Sequence, residues 1–135
     1  MPATDIQAGP PASGWRNNVL RLVRATLNSW NGLRAATRTE WAFRREVAAL
    51  VVAVPLAFLI GTDAWRRTAL IGVILLLMIV ELLNTAVEKL SDHVTPDTHP
   101  AIGRIKDMGS AAVGLALLLA GLVWLVALVE RLGWL

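Results

Sequence analysis

Two long runs of apolar residues stand out in the hydrophobic pattern of this chain. Residues 68–87 form a run of 20 with one ionisable side chain, Glu81, and residues 108–129 form a run of 22 with none. A helix of about 20 apolar residues is long enough to cross a hydrocarbon core of about 30 Å. The runs therefore predict two transmembrane helices, over about residues 66–92 and 100–130.

A third apolar run, residues 47–60, has only 14 residues, a length that also fits a buried helix of a soluble protein. Ala42 and Phe43 lie one turn earlier, and Arg44 and Arg45 have stems long enough to carry their charges to the membrane surface. Together they extend the apolar reach to about 19 residues. We therefore predict a further span over about residues 42–61.

Ahead of these spans, apolar residues of segment 17–38 recur on one helical face, and basic and amide residues occupy another. Such a helix lies flat among lipid headgroups, where an aromatic such as Trp30 anchors it. Residues 1–15 are rich in Pro, Ala and Gly without Lys or Arg, so they predict a disordered tail rather than a secretory signal. The predicted fold is an all-α membrane protein, with one domain over residues 16–135 containing a surface helix and three transmembrane helices.

Composition and charge support this fold and orient it. The chain is 56% hydrophobic and 17% charged, with a mean hydropathy of +0.57, which favours lipid as its solvent. Ten of the 13 Lys and Arg residues precede the apolar run 47–60 or lie between the runs 68–87 and 108–129. Since basic residues concentrate in cytoplasmic loops, the N-terminus is predicted to be cytoplasmic. The absence of cysteine excludes disulfides and thiolate metal sites.

The second span contains a polar stripe, formed by Glu81, Asn84, Thr85, Glu88 and Asp92 within about 100° of helical arc. Asn and Thr commonly join membrane helices, but such packing rarely needs three carboxylates. An acid within a span is costly and indicates function. Glu81 lies deeper, as suits a general base, and Glu88 lies about 10 Å nearer the aqueous edge, as suits a Mg²⁺ ligand.

The third span has its own candidate chemistry near its cytoplasmic end. Thr98-His99-Pro100 resembles a helix start, because Pro is favoured at the first helical position. Lys106 lies within two turns of that start, where a cation and the helix dipole both favour phosphate. Asp107 beside it can orient the lysine or a water molecule near the site. A plain surface lysine is the alternative. Small residues farther along permit close helix packing, and three spans alone do not satisfy the polar stripe, so we expect a homo-oligomer.

Four motifs connect these features: SWNGLRAA at residues 29–36, EWAFRRE at 40–46, ELLNTAVE at 81–88 followed by Asp92, and KDMGSAAV at 106–113. In order and spacing they resemble the prokaryotic, integral-membrane diacylglycerol kinase family, from about residue 18 to the C-terminus. The resemblance implies a multi-pass homotrimer in the bacterial inner membrane, with active sites shared between neighbouring chains. It also implies transfer of the γ-phosphate of MgATP to 1,2-diacylglycerol, which yields phosphatidic acid.

The resemblance implies roles for individual residues. Glu81 matches the catalytic base, and Glu40 and Glu88 match the Mg²⁺ ligands. The residues that match the family's ATP-contacting positions are Arg21, Asn28, Glu40, Glu88, Asp97, His99, Lys106 and Asp107. Positions that line the lipid substrate or support the site are Ser29, Trp30, Arg34, Glu46, Glu81, Asn84, Ser110 and Trp124.

Two alternatives remain open. A polyprenol such as undecaprenol could be the acceptor with the same catalytic residues, although the Arg-rich surface helix and the EWAFRRE run favour diacylglycerol. A small proton-coupled transporter would explain Glu81 but give no role to Glu40, Glu88 or Lys106. No phosphate loop of soluble kinases occurs, but phosphoryl transfer depends mostly on positioning and charge neutralisation. We expect no nucleic-acid partner.

Overall fold

The computed structural model describes residues 14–95 and 99–134, and this part of the chain consists of four helices. They are α1 (Gly14–Thr39), α2 (Trp41–Ile60), α3 (Ala64–Val94) and α4 (Pro100–Arg131). The prediction of an all-α chain is therefore confirmed. The chain divides into two compact units, one ending at Ala35 and the other beginning at Ala36. Of the predicted tail, residues 1–13 lie outside the described residues.

The first unit contains most of α1. Its apolar side chains are exposed, among them Leu22, Leu27 and Trp30. Exposed apolar residues along one side of a basic helix suit contact with a membrane surface. The position of α1 on that surface stays a prediction.

In the second unit, α3 packs against both α2 and α4, which barely contact each other. Phe43 is buried near the start of α2, and Ala57, Leu70 and Ala127 form a small core toward the opposite ends of the helices. The core consists largely of alanine, so the three helices approach closely while most of their larger side chains point outward.

The helix termini use local caps. Asp63 precedes α3 and accepts a hydrogen bond from the Arg66 amide at 2.9 Å. The Arg66 guanidinium also pairs with Glu130 at 3.0 Å, which ties the start of α3 to the end of α4. Pro100 opens α4 as the sequence predicts, with His99 as the N-cap residue.

Within the described residues, α3 and α4 are the helices long and apolar enough to cross a membrane. Only 17% of the most apolar stretch of each is buried inside the chain, whereas a core helix of a soluble protein would be mostly buried. The exposed apolar surface indicates a membrane protein. The first two turns of α2 carry Arg44, Arg45 and Glu46, so every stretch of 18 residues within this 20-residue helix contains three charged side chains.

Candidate active site

The acids of α3 form the centre of the candidate site. Glu81 is only 8% exposed, and Glu88, two turns later, is partly exposed. Between them, the Asn84 amide nitrogen donates a hydrogen bond to Glu88 Oε1 at 3.2 Å. The Asn84 Oδ1 atom is buried and accepts no hydrogen bond in the described part of the chain. Asn84 therefore orients Glu88 and retains an unused acceptor beside it.

Glu40 joins this site from the start of α2. It is the N-cap residue of that helix, but its side chain makes no capping bond. Its Oε1 atom instead accepts from Lys89 Nζ at 2.8 Å and from the Thr39 hydroxyl at 2.5 Å. These bonds, the one from Lys89 foremost, lower the pKa of Glu40 below its usual value. Glu40 is therefore an anion at neutral pH. Its partner Lys89, the residue after Glu88, holds it against α3.

Further charges lie within electrostatic range of Glu81. They belong to Glu88, Arg45 and Glu40, while Glu46 in turn interacts with Glu81 and Arg45. The Glu46 Oε2 atom is buried without a hydrogen-bond partner among the described residues. Four carboxyl groups, the Arg45 guanidinium and the Lys89 ammonium thus share this region, and its excess of acids over bases favours a cation.

Lys106 lies on α4 at the same end of the bundle. Its ammonium group donates to Asp92 Oδ1 and so connects α4 to the end of α3. Asp107, which the sequence suggested as the partner of Lys106, is exposed and forms no ion pair in the part of the chain that the structure describes. The reason is geometric, since consecutive helical residues point about 100° apart.

The oxygen donors of Glu40 and Glu88 fit Mg²⁺, which proteins usually hold with one or two carboxylates plus substrate phosphates. No three acidic, His or Cys side chains within residues 14–95 and 99–134 are grouped so as to hold a metal by themselves. Each of the two carboxylates is hydrogen-bonded, Glu40 by Lys89 and Glu88 by Asn84, as metal-binding carboxylates usually are. The donor set therefore suits a metal that arrives with a nucleotide.

An apolar groove of about 780 Å³ extends from Arg45 toward the outer half of the predicted membrane region. Its volume lies in the range of ligand pockets. Trp124 borders the groove and donates its indole N–H to the Leu70 carbonyl at 3.1 Å, which fixes the ring between α3 and α4. Its other lining residues are Ala48, Ala49, Val52, Ala53, Leu56, Ile74, Leu77, Leu117, Ala120 and Gly121.

The remaining predicted site residues lie apart from these contacts. Ser110 is exposed on α4, and His99 is exposed while its Nδ1 accepts from the Ala101 amide at 3.2 Å. Asp97 lies outside the described residues. Exposed positions on α1, in the first unit, are occupied by Arg21, Asn28, Ser29, Trp30 and Arg34.

The sequence reasoning missed Lys89 and Arg45 as members of the site. Lys89 directly follows Glu88, and this adjacency was the only signal of its place. Its partner Glu40 lies at the start of α2, far away in sequence, so the contact arises from tertiary packing alone. For Arg45, the sequence predicts only that its side chain carries the charge to the membrane surface.

Comparison with known proteins identifies the family of this chain. The sequence profile described as prokaryotic diacylglycerol kinase matches residues 27–128. A diacylglycerol kinase of Escherichia coli (strain K12) is 43% identical over 113 residues, covering 84% of this chain and 93% of that relative. Diacylglycerol kinases of Pseudomonas aeruginosa and Haemophilus influenzae are 44% and 40% identical over 104 and 103 residues, covering 77% and 76% of this chain and 85% and 87% of theirs. The chain therefore belongs to the prokaryotic diacylglycerol kinase family and is a kinase.

Proposed function

We propose that this kinase transfers the γ-phosphate of MgATP to the hydroxyl of 1,2-diacylglycerol, forming phosphatidic acid at the cytoplasmic face of a bacterial inner membrane. The observation that carries the proposal is the buried carboxylate of Glu81, on the same helix as the metal-ligand candidate Glu88 and within electrostatic range of Glu40. The relatives from Escherichia coli and Pseudomonas aeruginosa are named for the same substrate.

Glu81 is the proposed general base. It lies two turns, about 10 Å, deeper than Glu88 along α3, where the hydroxyl of a lipid reaches it. The Glu81 carboxylate takes the hydroxyl proton as the lipid oxygen bonds to the γ-phosphorus. The bond from that phosphorus to the β,γ-bridging oxygen breaks, and ADP leaves with the electron pair. Glu88 is partly exposed, so a hydrated metal ion and the phosphates of ATP can reach it at the membrane edge.

Glu40 and Glu88 are the proposed metal ligands, and Mg²⁺ bound there would neutralise phosphate charge during transfer. Lys106, two turns into α4, is the proposed phosphate contact, with Asp92 holding its ammonium group near the polar stripe. Further proposed ATP contacts, carried by the family resemblance, are Arg21, Asn28, Asp97, His99 and Asp107.

The apolar groove that begins at Arg45 is the proposed site of an acyl chain. Arg45 interacts with Glu81 and Glu46, so the polar end of the groove adjoins the proposed base, and Trp124 borders its other part. A lipid in this groove would carry its headgroup at the acids and its chain among alanines and leucines. Residues proposed to support the lipid or the site are Ser29, Trp30, Arg34, Glu46, Asn84, Ser110 and Trp124.

We also propose that each chain spans the membrane three times and that three chains assemble, sharing active sites. Support comes from the apolar faces of α3 and α4, whose larger side chains a single chain leaves exposed. The distribution of basic residues supports a cytoplasmic N-terminus and an external C-terminus.

The test is transfer of radiolabelled γ-phosphate from ATP by the purified protein in mixed micelles. Micelles containing diacylglycerol should yield labelled phosphatidic acid, and micelles containing undecaprenol should yield little product. Label that enters undecaprenol alone would support the polyprenol alternative. Label that enters neither lipid would contradict the proposed function.

A further inference from the structure

Lys89 on α3 forms an ion pair with Glu40, the N-cap residue of α2, at the polar end of the bundle. Its Nζ bonds to Glu40 Oε1, and the Thr39 hydroxyl bonds to the same oxygen. In the described part of the chain the Glu40 Oε2 atom accepts no hydrogen bond. Two donors thus hold one oxygen of a proposed metal ligand and leave the other as an acceptor.

The exposure of the pair argues against a role limited to stability. The Lys89 side chain is 62% exposed and that of Glu40 is 23% exposed. Ion pairs of this kind contribute little to the free energy of unfolding, since water screens them and two side chains lose freedom. The Glu40 side chain makes no hydrogen bond to the N-terminus of α2, so a helix cap does not set its direction. The contact with Lys89 sets the direction of the carboxylate instead.

We propose that Lys89 is a positioning residue that turns the Glu40 carboxylate toward the metal of the MgATP complex. The inference rests on the proposed function, in which Glu40 and Glu88 hold that metal. Lys89 and Thr39 bond to Oε1, so Oε2 would be the Glu40 oxygen available to the cation. Hydrogen bonds to a ligating carboxylate commonly set metal affinity, and their loss costs about 10- to 100-fold.

A lysine beside a metal site could also oppose the metal by repulsion or by occupying its ligand. Two observations favour positioning. The bonded lysine leaves the Oε2 atom of Glu40 open, so metal and lysine need not compete for one atom. The Lys89 ammonium is also largely in water, where its repulsion of a cation is weak, and the MgATP complex as a whole is negative.

The experiment measures binding of β,γ-imido-ATP by calorimetry in detergent micelles, with and without Mn²⁺. Lys89→Met removes the ammonium and keeps the stem, Lys89→Arg keeps the charge and donors, and Arg104→Met is a control at an exposed position of α4. Lys89→Met should weaken binding of the Mn²⁺ complex about tenfold and leave binding of the metal-free nucleotide unchanged. Lys89→Arg should restore most of the affinity, and Arg104→Met should match the parent protein.

Other outcomes overturn the inference in distinguishable ways. Tighter or unchanged binding of the Mn²⁺ complex by Lys89→Met would exclude positioning. Equal weakening with and without metal would make Lys89 a direct phosphate contact. If Glu40→Gln and Glu88→Gln weaken the Mn²⁺ complex but Lys89→Met does not, only this inference fails. If those two variants bind the complex normally, the proposed metal site fails and the inference with it.

Discussion

The side-chain oxygen of Asn84 occupies the space that a β-carbon at position 109 would fill. Gly109 therefore allows α4 to close over the polar stripe of α3 directly above an amide that is hydrogen-bonded to Glu88. The small-residue pattern along α4 predicted close packing, and here the close approach is to a polar side chain of the candidate site. Packing and site geometry are thus coupled at this glycine.

Gly109→Ala should destabilise the protein by about 1–3 kcal/mol, because the added methyl group displaces a buried amide and breaks its bond to Glu88. Gly103→Ala is the matched control on the same helix, since a β-carbon there meets nothing within 4 Å. Unfolding in mixed micelles measures both variants. Asn84→Ala should remove most of the cost of Gly109→Ala in the double variant, and an unreduced cost would show that another contact is responsible.

Asp63 links stability to pH at the opposite end of α3. The hydrogen bond from the Arg66 amide lowers the pKa of Asp63 below its ordinary value of 3.8. A lowered folded-state pKa means that the ionised cap stabilises the protein above that ordinary value and loses its effect as pH falls through the lowered one. Asp63→Ala should therefore be less stable at neutral pH, and its difference from the parent should narrow in acid.

Asp63→Asn provides the control for that prediction, because asparagine caps helices well without a charge. The free energy of unfolding of Asp63→Asn should lie near that of the parent at neutral pH. It should not show the loss in acid that protonation of Asp63 causes in the parent. Thermal unfolding across a pH series measures all three proteins. If the stability of Asp63→Ala differed from that of the parent by the same amount at every pH, the ionised Asp63 carboxylate would not be the stabilising cap.

Lys106→Ala should raise the KM for ATP by about 10- to 100-fold with little change in the KM for lipid, because a charge-assisted bond to phosphate contributes about 1.5–3 kcal/mol. Asp92→Asn leaves the lysine in place and removes only the charge that holds it, so its effect on the KM for ATP should be smaller. Arg104→Ala is the control. Unchanged constants for Lys106→Ala would identify Lys106 as a surface lysine.

The helices that the sequence predicted best have local signals. Long apolar runs predict α3 and α4 because each run is much longer than a buried soluble helix requires, and Pro100 is favoured at a first helical position. Helical periodicity also brought Glu81, Asn84 and Glu88 to one side of α3, which the bond from Asn84 to Glu88 confirms for that pair. These features depend on neighbours within one element.

The ion pairs could not be predicted in the same way. Lys106 has Asp107 beside it in sequence and bonds instead to Asp92, while Lys89 has Glu88 beside it and bonds to Glu40. Adjacent helical residues diverge, so the nearest opposite charge in sequence is a poor partner, and the choice among distant acids depends on how α3 packs against its neighbours. The same packing determines that the Asn84 amide meets a glycine.

Glu81 and Glu88 share one helix but should respond differently to the same substitution. Glu81→Gln keeps the size of the side chain and removes its ability to accept a proton. Turnover should fall by about 10²- to 10⁴-fold while binding of MgATP stays nearly intact. Glu130→Gln, at the far end of α4 in the pair with Arg66, is the matched control for loss of a glutamate charge.

Glu88→Gln should instead weaken nucleotide binding in a metal-dependent way, because a carboxylate is a much better ligand for Mg²⁺ than an amide. Raising the Mg²⁺ concentration or substituting Mn²⁺, which binds such sites more tightly, should restore part of the activity. Lipid phosphorylation and MgATP binding across a metal titration measure both variants. The difference follows from depth, since Glu81 is 8% exposed whereas Glu88 is partly exposed, within reach of hydrated metal and phosphate. Substantial turnover by Glu81→Gln, or equal loss of MgATP binding in both variants, would contradict the division of roles between base and ligand.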